Sequence, residues 1–378
     1  MSDAAPRVWL EVNLTALVRN YRTICQTVKP LHVMPVLKAD AYGIGCGPVA
    51  AALAKAGASR FGVAEVREAL PLLELDRPVH ILGALLPDEA PLAVRSGLVA
   101  PIGDAEIAKE LSAAAVAQAT TATCHILVDS GMGRLGLPIA TAFAVIQDID
   151  RLPGLHCEGI YSHFPHAYGD PQRSRQQVRE FTALLQQLAA AGIRFDHVHM
   201  ANSDGVNNQP KSCHAPFTMV RTGINLYGAF DLAGERRLAI ETVLTLKTRL
   251  VQVREMTAGA TIGYGCTHTL ARDTRVGTAA VGYADGFPIA LSNRGRVIIR
   301  GVPCPVLGRV SMDYVTVDVS ALPEATAGDE VECLGENIPI AEWAEARGTI
   351  SYDVICSFGN RVVRTYQTDG AWGSPIRC

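Results

Sequence analysis

Alternation of short apolar runs with helical patterns over the first two thirds of the chain limits its fold more than any other feature. Parallel strands separated by helices favour a closed (β/α)8 barrel of the TIM type when there are eight of them. An open doubly wound sheet is the alternative. The eight predicted strands are 33–37, 60–64, 79–83, 98–102, 124–128, 157–161, 197–200 and 217–221. The predicted helices between them include 49–56, 65–73 and 172–191.

A second, mostly-β domain is predicted after about residue 238, where strand patterns alternate with polar turns. We therefore predict an α/β chain with a barrel domain at 1–240 and a C-terminal β domain at 241–378. The early apolar run 8–12 is expected to pair with the second domain, and Asn13 to cap the helix that follows it. The predicted C-terminal elements are strands at 242–253, 275–282, 296–299, 314–319 and 329–334 and a helix at 340–347.

Composition excludes several functional classes. The 378 residues carry a net charge of −3, so no affinity for nucleic acid or an anionic membrane is expected. No apolar run reaches the roughly 20 residues of a membrane span, and the N-terminus lacks a signal-peptide pattern. The ten cysteines form no C-x-x-C pair. They indicate reduced thiols in the cytoplasm, with no disulfide framework and no metal site.

Polar side chains follow several of the predicted barrel strands. Lys38, Arg134, His163, Ser203 and Arg221 all come at or shortly after a strand's C-terminal end. Taken singly, each is better explained as a surface or core residue. Barrel enzymes, however, gather their chemistry at this end of the strands, so the set predicts one active site.

The segment VLKADAYGIG at 36–45 is the sharpest motif. A lysine amine in a cavity forms a Schiff base with an aldehyde once its pKa is lowered. The segment RTGINLYG at 221–228 places small residues after strand eight, where barrels commonly bind phosphate. An amine, a phosphate site and an arginine at one barrel mouth together suit pyridoxal phosphate.

These motifs resemble those of the alanine racemase family, which combines a barrel with a C-terminal β domain. Besides VLKADAYGIG, the family's motifs occur in order as DSGMGRLG, SHF, HMANS, VRTGINLYG, GYG, VGYADGFP and GRVSMDYVTVDVS. Short glycine-rich strings recur by chance, but eight in the same order do not. The resemblance implies a racemase that interconverts L-alanine and D-alanine and supplies D-alanine for peptidoglycan.

The resemblance also implies how a proton moves between the two faces of the substrate. Lys38 would carry the cofactor and act as one base, and Tyr264 would be the other. The backbone N–H of Met312, with Asp313 beside it, would bind the substrate carboxylate. Tyr283 would lie in the passage through which substrate reaches the site.

Cofactor contacts are implied for two further groups of residues. The phosphate would be held by the hydroxyls of Tyr42 and Ser203 and by the N–H groups of Gly223 and Ile224.

Around the cofactor ring, Arg221 would face the pyridine nitrogen and His163 would lie against the ring, near Arg221 and Tyr264. His199 would support Arg221 from behind. Arg134 would contact the cofactor's phenolic oxygen and the substrate.

The family assembles each site from two chains, so a homodimer is expected, with Tyr264 and Met312 serving the partner's barrel. Two positions depart from the family. Leu127 replaces a lysine that usually orients the arginine at 134. Asn360 replaces a tyrosine at the entrance, which predicts activity on serine as well as alanine.

Two other functions fit the barrel with its cofactor. A decarboxylase of a basic amino acid shares the two-domain layout, but it needs no second base at 264. A non-catalytic carrier of pyridoxal phosphate would need only the barrel.

Overall fold

The computed structural model describes residues 5–373, and its first unit is a closed parallel barrel. Strands run in the order β2-β10-β9-β8-β6-β5, β3 pairs with β4, and single bridges Val36–Gly62 and His80–Val99 complete the ring. The first and last strands of the unit pair with each other, so the ring is closed and the doubly wound alternative is wrong. The strand before the barrel is β1 (Val8–Asn13), and those of the barrel unit, of which the first and the last pair with each other, are β2 (His32–Pro35), β3 (Phe61–Val63), β4 (Val79–Ile81), β5 (Ala100–Ile102), β6 (Ala122–Asp129), β7 (Leu137–Pro138), β8 (Leu155–Tyr161), β9 (His197–His199) and β10 (Met219–Thr222).

Helices cover the outside of the barrel, with their apolar faces buried against the strands. Asn13 accepts a hydrogen bond from the N–H of Ala16 at 2.9 Å, so it caps the first helix as predicted. The helical segments of this unit are α1 (Leu14–Val28), α2 (Lys38–Gly43), α3 (Cys46–Lys55), α4 (Val66–Ala69), α5 (Ala90–Arg95), α6 (Ala105–Ala117), α7 (Ile139–Ile149), α8 (Pro171–Ala190) and α9 (Ser203–Asn208).

The predicted single helix at 65–73 is wrong. The structure has the short helix α4 followed by a 3-10 helix, Leu70–Leu75. Pro71 has no N–H to donate and clashes with the preceding turn, which ends the α-helix at this point.

The second unit is a nine-stranded sheet in the order β14-β17-β16-β15-β18-β11-β1-β19-β20. Strand β1 lies inside it, antiparallel to β11 and parallel to β19, which confirms the predicted pairing of the N-terminal run. The elements are β11 (Leu244–Met256), β12 (Thr261–Ile262), β13 (His268–Thr269), β14 (Thr274–Ala279), β15 (Arg296–Ile299), β16 (Val302–Leu307), β17 (Val315–Asp318), β18 (Glu330–Leu334), α10 (Ile340–Arg347), α11 (Ser351–Cys356), β19 (Val363–Thr368) and β20 (Ala371–Trp372).

Six elements of the second unit were missed from the sequence, namely strands β12, β13, β16, β19 and β20 and helix α11. Strand β16 contains Pro303 and Pro305, residues that argue against a strand in a sequence pattern. Helix α11 is only six residues long, too short to show a helical period. The domain boundary at 240 stays a prediction, and β1 crosses it by lying in the second sheet.

None of the helices within residues 5–373 combines the length and the apolar character that crossing a bilayer requires.

Candidate functional site

A cavity of about 550 Å³ opens at the C-terminal end of the barrel strands. Helix α11 and the residue before it close one side, through Tyr352 and Ile350 of the second unit. Sequence reasoning assigned these two residues no role. The predicted site residues in the cavity wall are Lys38, Tyr42, Arg134, His163, Ser203, Arg221 and Gly223.

Lys38 enters the cavity from a strained segment. The four residues after it, Ala39 to Tyr42, all have left-handed backbone angles, with φ between 52° and 63°. Each such residue costs about 1 kcal/mol or more, so the surroundings must hold the segment in place. A carboxylate oxygen of Glu68 accepts from the N–H of Ala39 at 2.7 Å, and Asp40 accepts from the N–H of Cys46 at 2.6 Å.

The Lys38 amine has a lowered pKa. The side chain keeps contact with solvent at the cavity mouth, but protein atoms crowd the amine. Desolvation, and after it the positive charge of Arg134, lower its pKa below the ordinary value, while Cys356 and Glu68 oppose the shift. A larger neutral fraction is what nucleophilic attack on an aldehyde requires.

Arg221 lies at the base of the cavity with its guanidinium fixed from behind. NH1 donates to His199 Nδ1 at 2.6 Å, and NH2 donates to the carbonyl of Ser162 at 2.8 Å and to His163 Nδ1 at 3.1 Å. The ring of Tyr161 lies 5.2 Å from the guanidinium carbon. Full burial lowers the pKa of Arg221 to about 10, so it remains charged at neutral pH.

His163 is held neutral against Arg221. Burial, and after it the charges of Arg221, Arg134 and Lys38, lower the pKa of His163 to about 3. A guanidinium has only donors, so Nδ1 of His163 must accept and the ring proton must be on Nε2.

A phosphate-sized cradle lies where strands β9 and β10 end. The N–H of Gly223 donates to the hydroxyl of Ser203 at 3.0 Å. A Cβ atom at position 223 would overlap the hydroxyl of Tyr42, so only glycine allows this approach. Two hydroxyls and a backbone N–H thus converge. Ile224 is buried and begins the turn Ile224–Tyr227 outside the cavity wall.

The other predicted site residues lie elsewhere on the same chain. Tyr264 is 73% exposed, and Tyr283 and Met312 are also exposed. The N–H of Tyr283 donates to the carbonyl of Ser311 at 3.0 Å, which places Tyr283 beside the loop that carries Met312. The predicted site residues that do not line the cavity, within residues 5–373, are His199, Ile224, Tyr264, Tyr283, Met312, Asp313 and Asn360.

Arg361 organises that surface, a role that sequence reasoning missed. It donates to Asp285 at 2.7 Å and pairs with Asp313 at 2.8 Å. The exposed Asn360 precedes it directly. The motif NRVVR contained the signal, but its two acidic partners are 48 and 76 residues away in sequence.

Arg134 is exposed and lines the cavity beside the buried, apolar Leu127. In the part of the chain that the structure describes, no carboxylate forms an ion pair with it.

Comparisons with known proteins agree over nearly the whole chain. The family models "Alanine racemase, N-terminal domain" and "Alanine racemase, C-terminal domain" match residues 12–231 and 243–366. The alanine racemase of Desulforamulus reducens is 37% identical over 95% of this chain and 98% of that protein. That of Symbiobacterium thermophilum is 38% identical, over 96% and 98%.

Solved structures agree with these relatives. An alanine racemase of Clostridium difficile 630 superposes with a TM-score of 0.92 at 27% identity, covering 99% of each chain. One from Bartonella henselae, with covalently bound pyridoxal phosphate, gives 0.86 at 28% identity, covering 96% of this chain and 100% of that one.

Proposed function

This chain belongs to the alanine racemase family, and on that premise we propose that Lys38 and Tyr264 exchange the α-proton of alanine at its opposite faces. The protein is an isomerase that interconverts L-alanine and D-alanine and uses pyridoxal phosphate. When bound, the cofactor supplies an electron-withdrawing ring that makes the α-hydrogen of an attached amino acid removable as a proton. The match over both units disfavours the decarboxylase and the non-catalytic carrier.

The cavity fits this cofactor. Lys38, with its lowered pKa, would hold the aldehyde end, and the cradle of Tyr42, Ser203 and Gly223 would hold the phosphate end. The single observation that carries the proposal is that amine and cradle share one cavity of about 550 Å³.

Arg221 would face the ring nitrogen. Its two terminal nitrogens already donate to protein acceptors. Among the described residues Nε has no hydrogen-bond acceptor, so its N–H would be free to donate to the ring nitrogen. A cation at that place disfavours protonation of the ring nitrogen, which limits side reactions such as transamination.

Tyr264 would come from a second copy of the chain. The cavity of one chain holds Lys38 but not Tyr264, which is 73% exposed at the surface of the second unit. Other large apolar side chains are exposed on that surface, among them Tyr283, Met312 and Tyr314. We propose a head-to-tail homodimer that covers these residues and completes each site.

We further propose that the D-alanine serves peptidoglycan synthesis and that the enzyme works in the cytoplasm. The cysteines support this location, because the ten in the sequence do not have the spacing of a disulfide framework or a metal site.

Covalent labelling tests the cofactor site. Borohydride reduction of the holoenzyme followed by peptide mapping is expected to place the pyridoxyl group on Lys38. Lys55 is the internal control, because it lies at the end of helix α3 and not in the cavity wall, and it should stay unlabelled. A label on any other lysine, or none, refutes the proposed site.

The range of amino acids that the enzyme accepts is tested by a substitution at Asn360, at the proposed entrance to the site. Asn360→Tyr is expected to lower the ratio of serine to alanine racemisation by about tenfold, because a phenol there narrows the passage and removes a polar partner for the serine hydroxyl. Asn337→Tyr, at another exposed position of the second unit, should leave the ratio unchanged. Equal losses on both amino acids with Asn360→Tyr would count against the assignment.

A further inference from the structure

Four polar side chains form a continuous line through the interior of the barrel, where side chains are ordinarily apolar. Arg221 donates to His199 Nδ1 at 2.6 Å, and His199 Nε2 lies 2.8 Å from His125 Nδ1. His125 Nε2 in turn lies 3.0 Å from a carboxylate oxygen of Glu158. We call these four residues the interior relay. They come from strands β10, β9, β6 and β8, which pair as neighbours in the order β10-β9-β8-β6.

The two ends of the interior relay determine where every proton in it lies. Arg221 has only donors, so His199 Nδ1 must accept and its proton must be on Nε2. That proton points to His125 Nδ1, which must then accept, so the proton of His125 is on Nε2. The Nε2 proton meets the carboxylate of Glu158, which has only acceptors while it is ionised. One arrangement of neutral imidazoles therefore satisfies all three hydrogen bonds.

Electrostatics favour the same arrangement. Burial lowers the pKa of both His199 and His125, so both rings are neutral at pH 7. The hydrogen bond from His125 lowers the pKa of Glu158 to about 2, against the opposing effect of burial. Arg60, 3.5 Å from the same carboxylate, also favours its charged form. Glu158 thus remains an anion throughout the range in which the enzyme would work.

We propose that Glu158 and His125 are positioning residues for racemisation, which fix the tautomer of His199 and through it the orientation of Arg221 at the base of the cofactor cavity. Neither residue lines the cavity, so neither touches the reacting atoms. Without the carboxylate, the His125 proton can move to Nδ1. It would then oppose the Nε2 proton of His199, and one hydrogen bond would break. His199 would then no longer hold the guanidinium of Arg221 in one orientation. The inference rests on the role proposed above for Arg221.

Histidine tautomers can be measured directly. In holoenzyme labelled with ¹⁵N-histidine, long-range ¹H–¹⁵N spectra are expected to show His199 and His125 as neutral rings protonated at Nε2. The signals are assigned by their loss in His199→Gln and His125→Phe. A proton on Nδ1 of either ring in the wild-type protein would overturn the proposal without the need for any further variant.

Variants then separate positioning from general stability. Glu158→Leu is expected to give mixed tautomers at His125, to shift the visible absorption of the bound cofactor, and to lower kcat about tenfold with KM little changed. Glu158→Gln keeps an acceptor oxygen and should restore the wild-type tautomer and spectrum. His80→Phe is the matched control. His80 is buried in the same interior, with its ring 4.7 Å from that of His125, but its Nε2 lies 3.3 Å from the guanidinium of Arg60 and not against a member of the interior relay.

The outcomes are distinct. If Glu158→Leu and His80→Phe change the spectrum and kcat alike, the interior relay only packs the barrel and the proposal fails. If Lys38 carries no pyridoxyl label, the proposed function fails instead, whatever the tautomers are.

Discussion

Mixing the Lys38→Ala and Tyr264→Phe variants is expected to restore racemisation to about one quarter of the wild-type rate, although each variant alone loses at least about a hundredfold. The reason is the proposed origin of the two bases in different chains. In a mixed dimer, one site combines the intact Lys38 of one chain with the intact Tyr264 of the other. Random assortment makes about half of the dimers mixed, and each mixed dimer has one of two sites intact.

The measurement is the rate of D-alanine formation after the two variants are unfolded together and refolded at equal concentrations. Pairing Lys38→Ala with the double variant Lys38→Ala/Tyr264→Phe is the control, because no mixed dimer of that pair has a complete site. If the first mixture stays as inactive as the control, both bases belong to one chain and the proposed dimer is wrong.

The free energy of unfolding is expected to fall with acid, by about 4 kcal/mol between pH 7 and pH 5.5. Burial lowers the pKa of five histidines, His80, His125, His163, His197 and His199, and takes that of His163 to about 3 and that of His197 to about 4. The unfolded chain binds a proton at each below about pH 6.5, whereas the folded protein does not. Stability is therefore fully present above pH 6.5 and is lost as the pH falls. We count about 1.2 kcal/mol for each of His80, His163 and His199, less for His125 and the half-buried His197, and about 1 kcal/mol in the opposite direction for Asp204, whose pKa burial raises to about 6.

Urea unfolding at a series of pH values measures this loss. His80→Phe should reduce the change between pH 7 and pH 5.5 by about 1.2 kcal/mol, because the unfolded chain no longer binds a proton at position 80. His156→Gln, at an exposed position of strand β8, is the control and should leave the change as it is. An unfolding midpoint that is the same at pH 7 and pH 5.5 would contradict the expectation.

The barrel could be predicted from the sequence because each of its strands is a short apolar run bounded by turn signals. The order of polar residues after those strands also predicted the cavity wall, from Lys38 to Arg221. These predictions need only the rule that parallel strands end at one edge. The face to which a side chain points in a three-residue strand cannot be predicted in this way, because three residues are too few to show an alternation of apolar and polar positions.

A different limit explains what was missed inside the barrel. His125 and Glu158 belong to the longer strands β6 and β8, in which buried and exposed positions do not alternate, so nothing in the sequence tells that the two side chains meet in the interior. The left-handed turn from Ala39 to Tyr42 was equally hidden, because non-glycine residues rarely adopt that backbone. Tertiary contacts, such as that of Glu68 with Ala39, impose it.

Strand β1 has a consequence for how the protein can be made. The ribosome synthesises it before both of its neighbours, since β11 and β19 follow some 230 and 350 residues later. Both edges of β1 are unpaired until β11 emerges, and one edge stays unpaired until β19 follows, which is an opportunity for wrong association. A fragment that starts after the barrel would lack an inner strand of its own sheet. Cutting the gene between the two units should therefore yield a C-terminal piece that folds only when a peptide containing residues 8–13 is supplied.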